Sequence, residues 1–255
     1  MFNDEVTAAA NAAKGKYNLL RNNPFGYFLA AVLAGAFIGF GVLLAFTVGG
    51  QTSETPFCKL LMGCVFGVAL SLVVMAGGEL FTGNNMVMAM GAARKTVTLG
   101  QCWRVWGMSY LGNLVGAVLL SLLFVGCGLA TGAAGSFMAS SAGTKMALSP
   151  LNLVCRGALC NTLVCLAVWC GFRCKSESSK LIMIFWCLLA FITTGFEHSI
   201  ANMTLLTISL LAPTADAAVS LGGEVYNLFF VTFGNMIGGI AFVALPYIRI
   251  SSKKS

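Results

Sequence analysis

The sequence predicts an all-α integral membrane protein, six transmembrane helices arranged as a three-plus-three inverted repeat with helices 2 and 5 broken. Three observations predict it. Of the 255 residues 58% are hydrophobic and only 9% are charged, with a mean hydropathy of +0.88, whereas a soluble domain carries about a quarter charged residues. Six stretches approach or exceed the roughly 20 apolar residues that a helix needs to cross a hydrocarbon core of ~30 Å. The second and fifth stretches are interrupted at corresponding places.

Residues 1–23, MFNDEVTAAANAAKGKYNLLRNN, put Val6, Ala9, Ala10, Ala13 and Tyr17 on one side of a helix. They read as a short amphipathic segment on the cytoplasmic membrane surface, or else as a disordered tail. No small-residue cleavage site separates them from the first span, so they do not read as a signal peptide. A transmembrane domain occupies residues 24–248, and 249–255 form a basic tail. The spans are Phe25–Val48, Phe57–Gly91 with an interruption, Val105–Ala130, Leu151–Phe172, Lys180–Leu211 with an interruption, and Val219–Ile248. Backbone polar groups in lipid must be satisfied within the segment, so these are helices and not open strands.

The net charge of +7 would suggest nucleic acid in a soluble chain, but the positions of the basic residues give it another meaning. Lys14, Lys16, Arg21, Arg94, Lys95, Arg104, Arg173, Lys175, Lys180, Arg249, Lys253 and Lys254 all fall on one side of the spans. Only Lys59, Lys145 and Arg156 fall on the other. Both termini are therefore expected in the cytoplasm, and no nucleic-acid partner is expected. The ten cysteines form no C-x-x-C pair. Cys155, Cys160, Cys165, Cys170 and Cys174 recur every four or five residues, and a five-residue step turns a helix by about 140°. They share no face and read as small packing residues, so no metal or cofactor is expected.

The halves share motifs. LGNLVGAV from Leu111 matches FGNMIGGI from Phe233 at an offset of 122, and AGAFIG from Ala34 lines up with RGALCN from Arg156 at the same offset. GGELFTGNNM from Gly77 answers GFEHSIANM from Gly195. Three helices per half invert the second half relative to the first, and paired broken helices in inverted repeats are the mark of transporters and channels. The plan is aquaporin-like. Gly112, Gly116, Gly234 and Gly238 read as small residues that let helices approach, with Asn113 and Asn235 bonding across the interface. Glu79 and Glu197 sit where a lone carboxylate costs several kcal/mol. They are expected to cap backbone N–H groups at the breaks and not to touch ligand. Helix ends at mid-membrane offer N–H groups and positive dipole ends that suit an anion.

GGELFTGNNM, ALCNTLVCLAVW and GFEHSIANM resemble the signature segments of the formate/nitrite transporter family, over the whole chain and in the right order. The wording around CLLAFITTGFEHSIANMT is most similar to the nitrite and hydrosulfide channel branch. The resemblance implies a bacterial cytoplasmic membrane protein and a homopentamer with one anion pore per protomer. It implies that His198 is the central pore residue and that Thr82 of the first break faces it. Leu80 and Phe81 fall on the constriction of that break, and Phe66, Leu70 and Phe191 on further apolar constriction positions. Asn161 and Asn202 match polar residues near the pore centre. Lys145 falls near a basic residue of the outer vestibule.

The chemistry of His198 fits that assignment. A small anion loses much on leaving water, and a hydrogen-bond donor between apolar rings returns part of it. Either protonated His198 passes its proton to the anion and a neutral acid crosses, or His198 only donates a hydrogen bond. Nitrite, formate and hydrosulfide each have a neutral acid form. An aquaporin-like pore for neutral solutes is the alternative. A membrane enzyme or redox subunit would need paired histidines or a cysteine cluster, and the chain has one histidine.

Overall fold

The structure, a computed structural model, describes residues 1–215 and 217–251. Among them all regular structure is helical. In chain order the helices are α1 (Asn3–Asn22), α2 (Pro24–Gln51), α3 (Cys58–Phe66), α4 (Val68–Leu72), α5 (Phe81–Ala93), α6 (Leu99–Gly126), α7 (Gly132–Met146), α8 (Pro150–Arg173), α9 (Glu177–Thr194), α10 (Ser199–Leu211), α11 (Leu221–Ile237) and α12 (Leu245–Ser251). A π-helical turn at Val73–Gly77 continues α4, and another at Gly238–Ala244 joins α11 to α12. Six of these runs are long and apolar enough to span a bilayer. The second and fifth spans each break and resume as α5 and α10.

Two sequence expectations need correction, and one helix went unforeseen. The third span starts at Leu99 and not at Val105. Thr98 closes a capping box there, its Oγ1 accepting from Gln101 N at 3.3 Å while its own N–H donates to Gln101 Oε1 at 2.9 Å. That polar cap carries Trp103 and Arg104 into the helix although hydropathy reads them as loop. The segment between spans 3 and 4 holds α7, whose Gly, Ala and Ser residues give little periodic signal. The apolar side of α1 packs on the protein itself, mainly on α5, and not on a membrane surface. Val6, Ala9 and Ala13 are fully buried there. Thr96 Oγ1 donates to Ala10 O at 2.7 Å, and Arg94 Nη2 ties Asn3 Oδ1 at 2.8 Å to Ser251 Oγ at 3.1 Å. The Phe2 ring meets Trp169 and Tyr247 edge-on, with the Arg173 guanidinium 4.6 Å above it. Lys253 and Lys254 of the basic tail lie outside the described residues.

The repeat is real, with one change of register. Gly112 and Gly116 of α6 lie against Phe28 O and Val32 O of α2, and Gly234 and Gly238 of α11 lie against Val154 O and Ala158 O of α8. These contacts confirm the offset of 122 for α6 and α11 but set 126 for α2 and α8. The AGAFIG and RGALCN match is thus one turn out of register. Small residues four apart recur on the same helix face, so their pattern alone leaves a one-turn ambiguity.

A methyl group on Gly116 would run into Val32 O. Gly116→Ala is therefore expected to force α2 from α6 and to cost about 1–3 kcal/mol, read as a lower unfolding temperature in detergent. Gly107→Ala is the control on the same helix, because nothing lies within 4 Å of that position. Equal unfolding temperatures for the two variants would refute the close packing.

Candidate functional site

Both breaks are held by one asparagine each, in matching geometry. At the first, Gly77 with φ 88° ends the π turn. Asn113 Nδ2 donates to Ala31 O at 2.7 Å and Glu79 O at 3.0 Å, while its Oδ1 accepts from Phe81 N at 2.9 Å. At the second, Gly195 with φ 77° ends α9. Asn235 Nδ2 donates to Gly157 O at 2.8 Å and Glu197 O at 3.0 Å, while its Oδ1 accepts from Ser199 N at 2.9 Å. Each asparagine thus joins two helices and caps the half-helix that resumes. The capping role expected of Glu79 and Glu197 belongs to Asn113 and Asn235.

The two carboxylates instead form part-buried ion pairs, one at each break. Glu79 accepts from Lys16 Nζ at 2.8 and 2.9 Å, from Tyr27 OH at 3.0 Å and from Asn84 Nδ2 at 3.1 Å. Glu197 accepts from Lys145 Nζ and from Asn202 Nδ2, both at 2.7 Å. Asn202 also reaches Asn227, whose amide holds Lys145 O at 3.0 Å. Lys145 therefore lends its charge to Glu197. The contacts of Lys16 and Asn84 with Glu79 escaped the sequence analysis. The repeat contained the signal, since Asn84 answers Asn202 and a glutamate matched to Glu197 calls for its own cation.

His198 is the N-cap of α10. Its Nδ1 accepts from Ala201 N at 3.1 Å, so that nitrogen carries no proton. The proton of the neutral ring then sits on Nε2, 3.1 Å from Thr82 Oγ1. The ring lies nearly parallel to Phe191, centroids 6.0 Å apart and planes 18° apart. Ser199 N and Ala201 N are taken up by side chains.

Three cavities adjoin through shared wall residues, and His198 borders two of them. One of about 250 Å³ opens on the face away from α1 and holds Lys145, Glu197, Asn202, Phe66, Phe191 and His198. One of about 340 Å³ opens beside α1 and holds Lys16, Glu79, Asn84, Leu70 and Leu80. Between them lies a chamber of about 10 Å³, the room of one water molecule, bounded by Phe66, Phe191, Leu70, Leu80, Ile38, Val164, Leu188 and His198. Phe66 and Phe191 form its wall towards the first cavity, Leu70 and Leu80 towards the other. Phe81, Thr82 and Asn161 border none of these cavities. The Phe81 ring stands edge-on to Tyr110 at 5.0 Å. Asn161 Nδ2 holds Thr82 O at 3.2 Å and Asn235 O at 2.7 Å, which ties the two breaks together.

A six-span membrane protein with two half-helix breaks, two polar vestibules and an apolar centre is built as a membrane channel or transporter. The chain belongs to the formate/nitrite transporter family, whose model, described as formate/nitrite transporter, matches residues 3–249. It is similar to the nitrite transporter NirC of Salmonella typhimurium, with 43% identity over 97% of this chain and 91% of that protein. It is similar to the formate channel FocA of Escherichia coli K12, with 33% identity over 88% and 86%. Among solved structures, an FNT family ion channel superposes with a TM-score of 0.94 at 40% identity, covering 98% of this chain and all of that one. A pentameric formate channel with formate bound superposes with a TM-score of 0.81 at 30% identity, covering 90% and 98%. The family and these neighbours are transporters and channels and not enzymes.

Proposed function

We propose that the chain is a pore for small monovalent anions, with nitrite preferred over formate and hydrosulfide, working as a homopentamer with a pore in each protomer. The observation that carries this reading is His198, buried between two apolar walls with its Nε2 turned to Thr82. The higher identity to the nitrite transporters supports nitrite. The pentameric neighbour supports the assembly, as do outward apolar stripes such as Leu111, Val115, Leu119 and Leu122 on α6. The charge distribution supports cytoplasmic termini in a bacterial inner membrane.

Magnitudes favour one of the two mechanisms. Stripping a small anion of water costs several kcal/mol, and one hydrogen bond to a charged group returns about 1.5–3 kcal/mol. A chamber with one such donor among hydrocarbon walls therefore favours the neutral acid as the crossing species. His198 is a poor source of the proton, because the imidazolium form would push Nδ1–H against Ala201 N–H. In this reading His198 receives the anion through Nε2–H, and the proton arrives from water with the anion.

Uptake into proteoliposomes between about pH 5 and about pH 8 tests this. Nitrite flux is expected to exceed formate and hydrosulfide flux and to rise as pH falls. His198→Asn keeps an N-cap acceptor for Ala201 N–H and cannot change its charge. It is expected to run about tenfold slower with the pH dependence intact. A variant that loses the pH dependence would make His198 the proton donor. No flux above empty liposomes would end the anion-pore reading.

A further inference from the structure

A fourth cavity lies beside the pore. It holds about 180 Å³ and sits between the π turn that follows α4 and helices α8 and α9. Its walls are hydrocarbon, made by Val74, Ala167, Val168, Gly171, Phe172 and Ile184. Val74 and its neighbour Met75 are exposed, so the π turn faces outward here. The one charged side chain on the border is Lys180, in the first turn of α9. Its ion pair is with Glu177, three residues away at 3.1 Å, and the Glu177 side chain is 63% exposed. A surface pair of this kind contributes little and gives way to a better partner. Lys175, in the short loop between α8 and α9, is exposed, and among the described residues its side chain has no hydrogen bond or ion pair.

We propose that this cavity binds an anionic phospholipid of the bilayer, with one acyl chain in the cavity and the headgroup phosphate on Lys180 and Lys175. An apolar cavity stays dry, and its wall atoms lack dispersion contacts until something apolar fills it. An acyl chain supplies those contacts. The ammonium at the rim then selects a negative headgroup over a zwitterionic one. Both lysines stand at the ends of membrane spans, at the depth where headgroups lie. A phospholipid carries the chain and the charge on one molecule, in the order in which the cavity and the lysines present themselves. Val74, Val168 and Phe172 also wall the cavity beside α1. A lodged chain therefore backs the wall of that vestibule. The site does not depend on which solute crosses the pore.

The test is native mass spectrometry of the purified full-length protein in detergent, with phosphatidylglycerol and phosphatidylcholine of the same chains offered in equal amounts. Wild type is expected to retain phosphatidylglycerol in preference to phosphatidylcholine by more than about tenfold. Lys175→Gln and Lys180→Gln should each reduce that preference about fivefold. Gly171→Phe should expel both lipids. Nothing lies within 4 Å of a Cβ built at Gly171, so the ring enters free space, and the unfolding temperature without lipid should not fall. Gly107→Phe, on α6 and equally unobstructed, is the control that keeps the lipid. Added phosphatidylglycerol should raise the unfolding temperature of wild type and leave that of Gly171→Phe unmoved. Gly171→Leu repeats the test with a smaller side chain if Gly171→Phe does not fold. Equal retention of the two lipids by wild type, or no lipid retained at all, overturns the site. So does phosphatidylglycerol retained undiminished by the cavity-filling variant or by the double lysine variant.

Discussion

Asn235→Ala should unfold the centre of the molecule. The side chain is fully buried, and its removal leaves Ser199 N–H, Gly157 O and Glu197 O without the partners they have at 2.8–3.0 Å. A buried polar group left unpaired costs about 1–3 kcal/mol; Gly157 O keeps its bond within α8, so stranding Ser199 N–H and Glu197 O should cost about 2–6 kcal/mol. The expected readout is a sharp drop in unfolding temperature in detergent, together with loss of flux, because the same loop carries His198. Asn235→Asp keeps the acceptor for Ser199 N–H but gives up both donated bonds, and should be nearly as damaging. Asn113→Ala should behave alike, since Asn113 makes the matching bonds to Phe81 N, Ala31 O and Glu79 O. Wild-type stability in either alanine variant would show that these asparagines do not hold the breaks.

Glu197→Ala should be the next most harmful change. It strands the Lys145 ammonium and frees the Asn202 amide from the carboxylate. Breaking a buried pair from one side costs about 3–5 kcal/mol. Here the lower end applies, because the Lys145 side chain keeps 19% exposure although Glu197 keeps only 2%. The double variant Glu197→Gln with Lys145→Met leaves no stranded charge and is expected to recover most of the lost stability. A double-mutant cycle of unfolding temperatures measures this directly. If the double variant is as unstable as the sum of the two single ones, the pair carries no coupling and Glu197 acts through Asn202 alone.

Much of this molecule is legible in its sequence because lipid is a demanding solvent. A span must be apolar along its whole length, so hydropathy locates all six. An ionisable residue inside such a span stands out, which is why Glu79, Glu197 and His198 are visible as a group. The two GN-x-x-G segments show the repeat because close helix contact tolerates only small residues there. Less visible are elements whose signal is weak or whose role depends on a distant partner. Helix α7 is built of small residues without a marked apolar face. The cap of α6 rests on two polar side chains that hydropathy counts against a span. Phe81 and Asn161 border none of the three cavities because side chains on a helix point in different directions from one position to the next: Phe81 turns to Tyr110, and Asn161 to Thr82 O and Asn235 O.

Composition and hydropathy set the membrane class, the number of spans, the side of the charges and the places where the second and fifth spans break. They do so because each depends on short runs of residues facing a uniform solvent. Tertiary packing decided which polar groups meet. It put Lys16 of α1 on Glu79, 63 residues away, and Thr82 on His198, 116 residues away. It gave the breaks to Asn113 and Asn235, and placed Ala201 N–H on Nδ1 so that Nε2 keeps the proton. A buried charge or donor takes its meaning from the one atom opposite it, and that atom is chosen by how helices far apart in the chain come to pack.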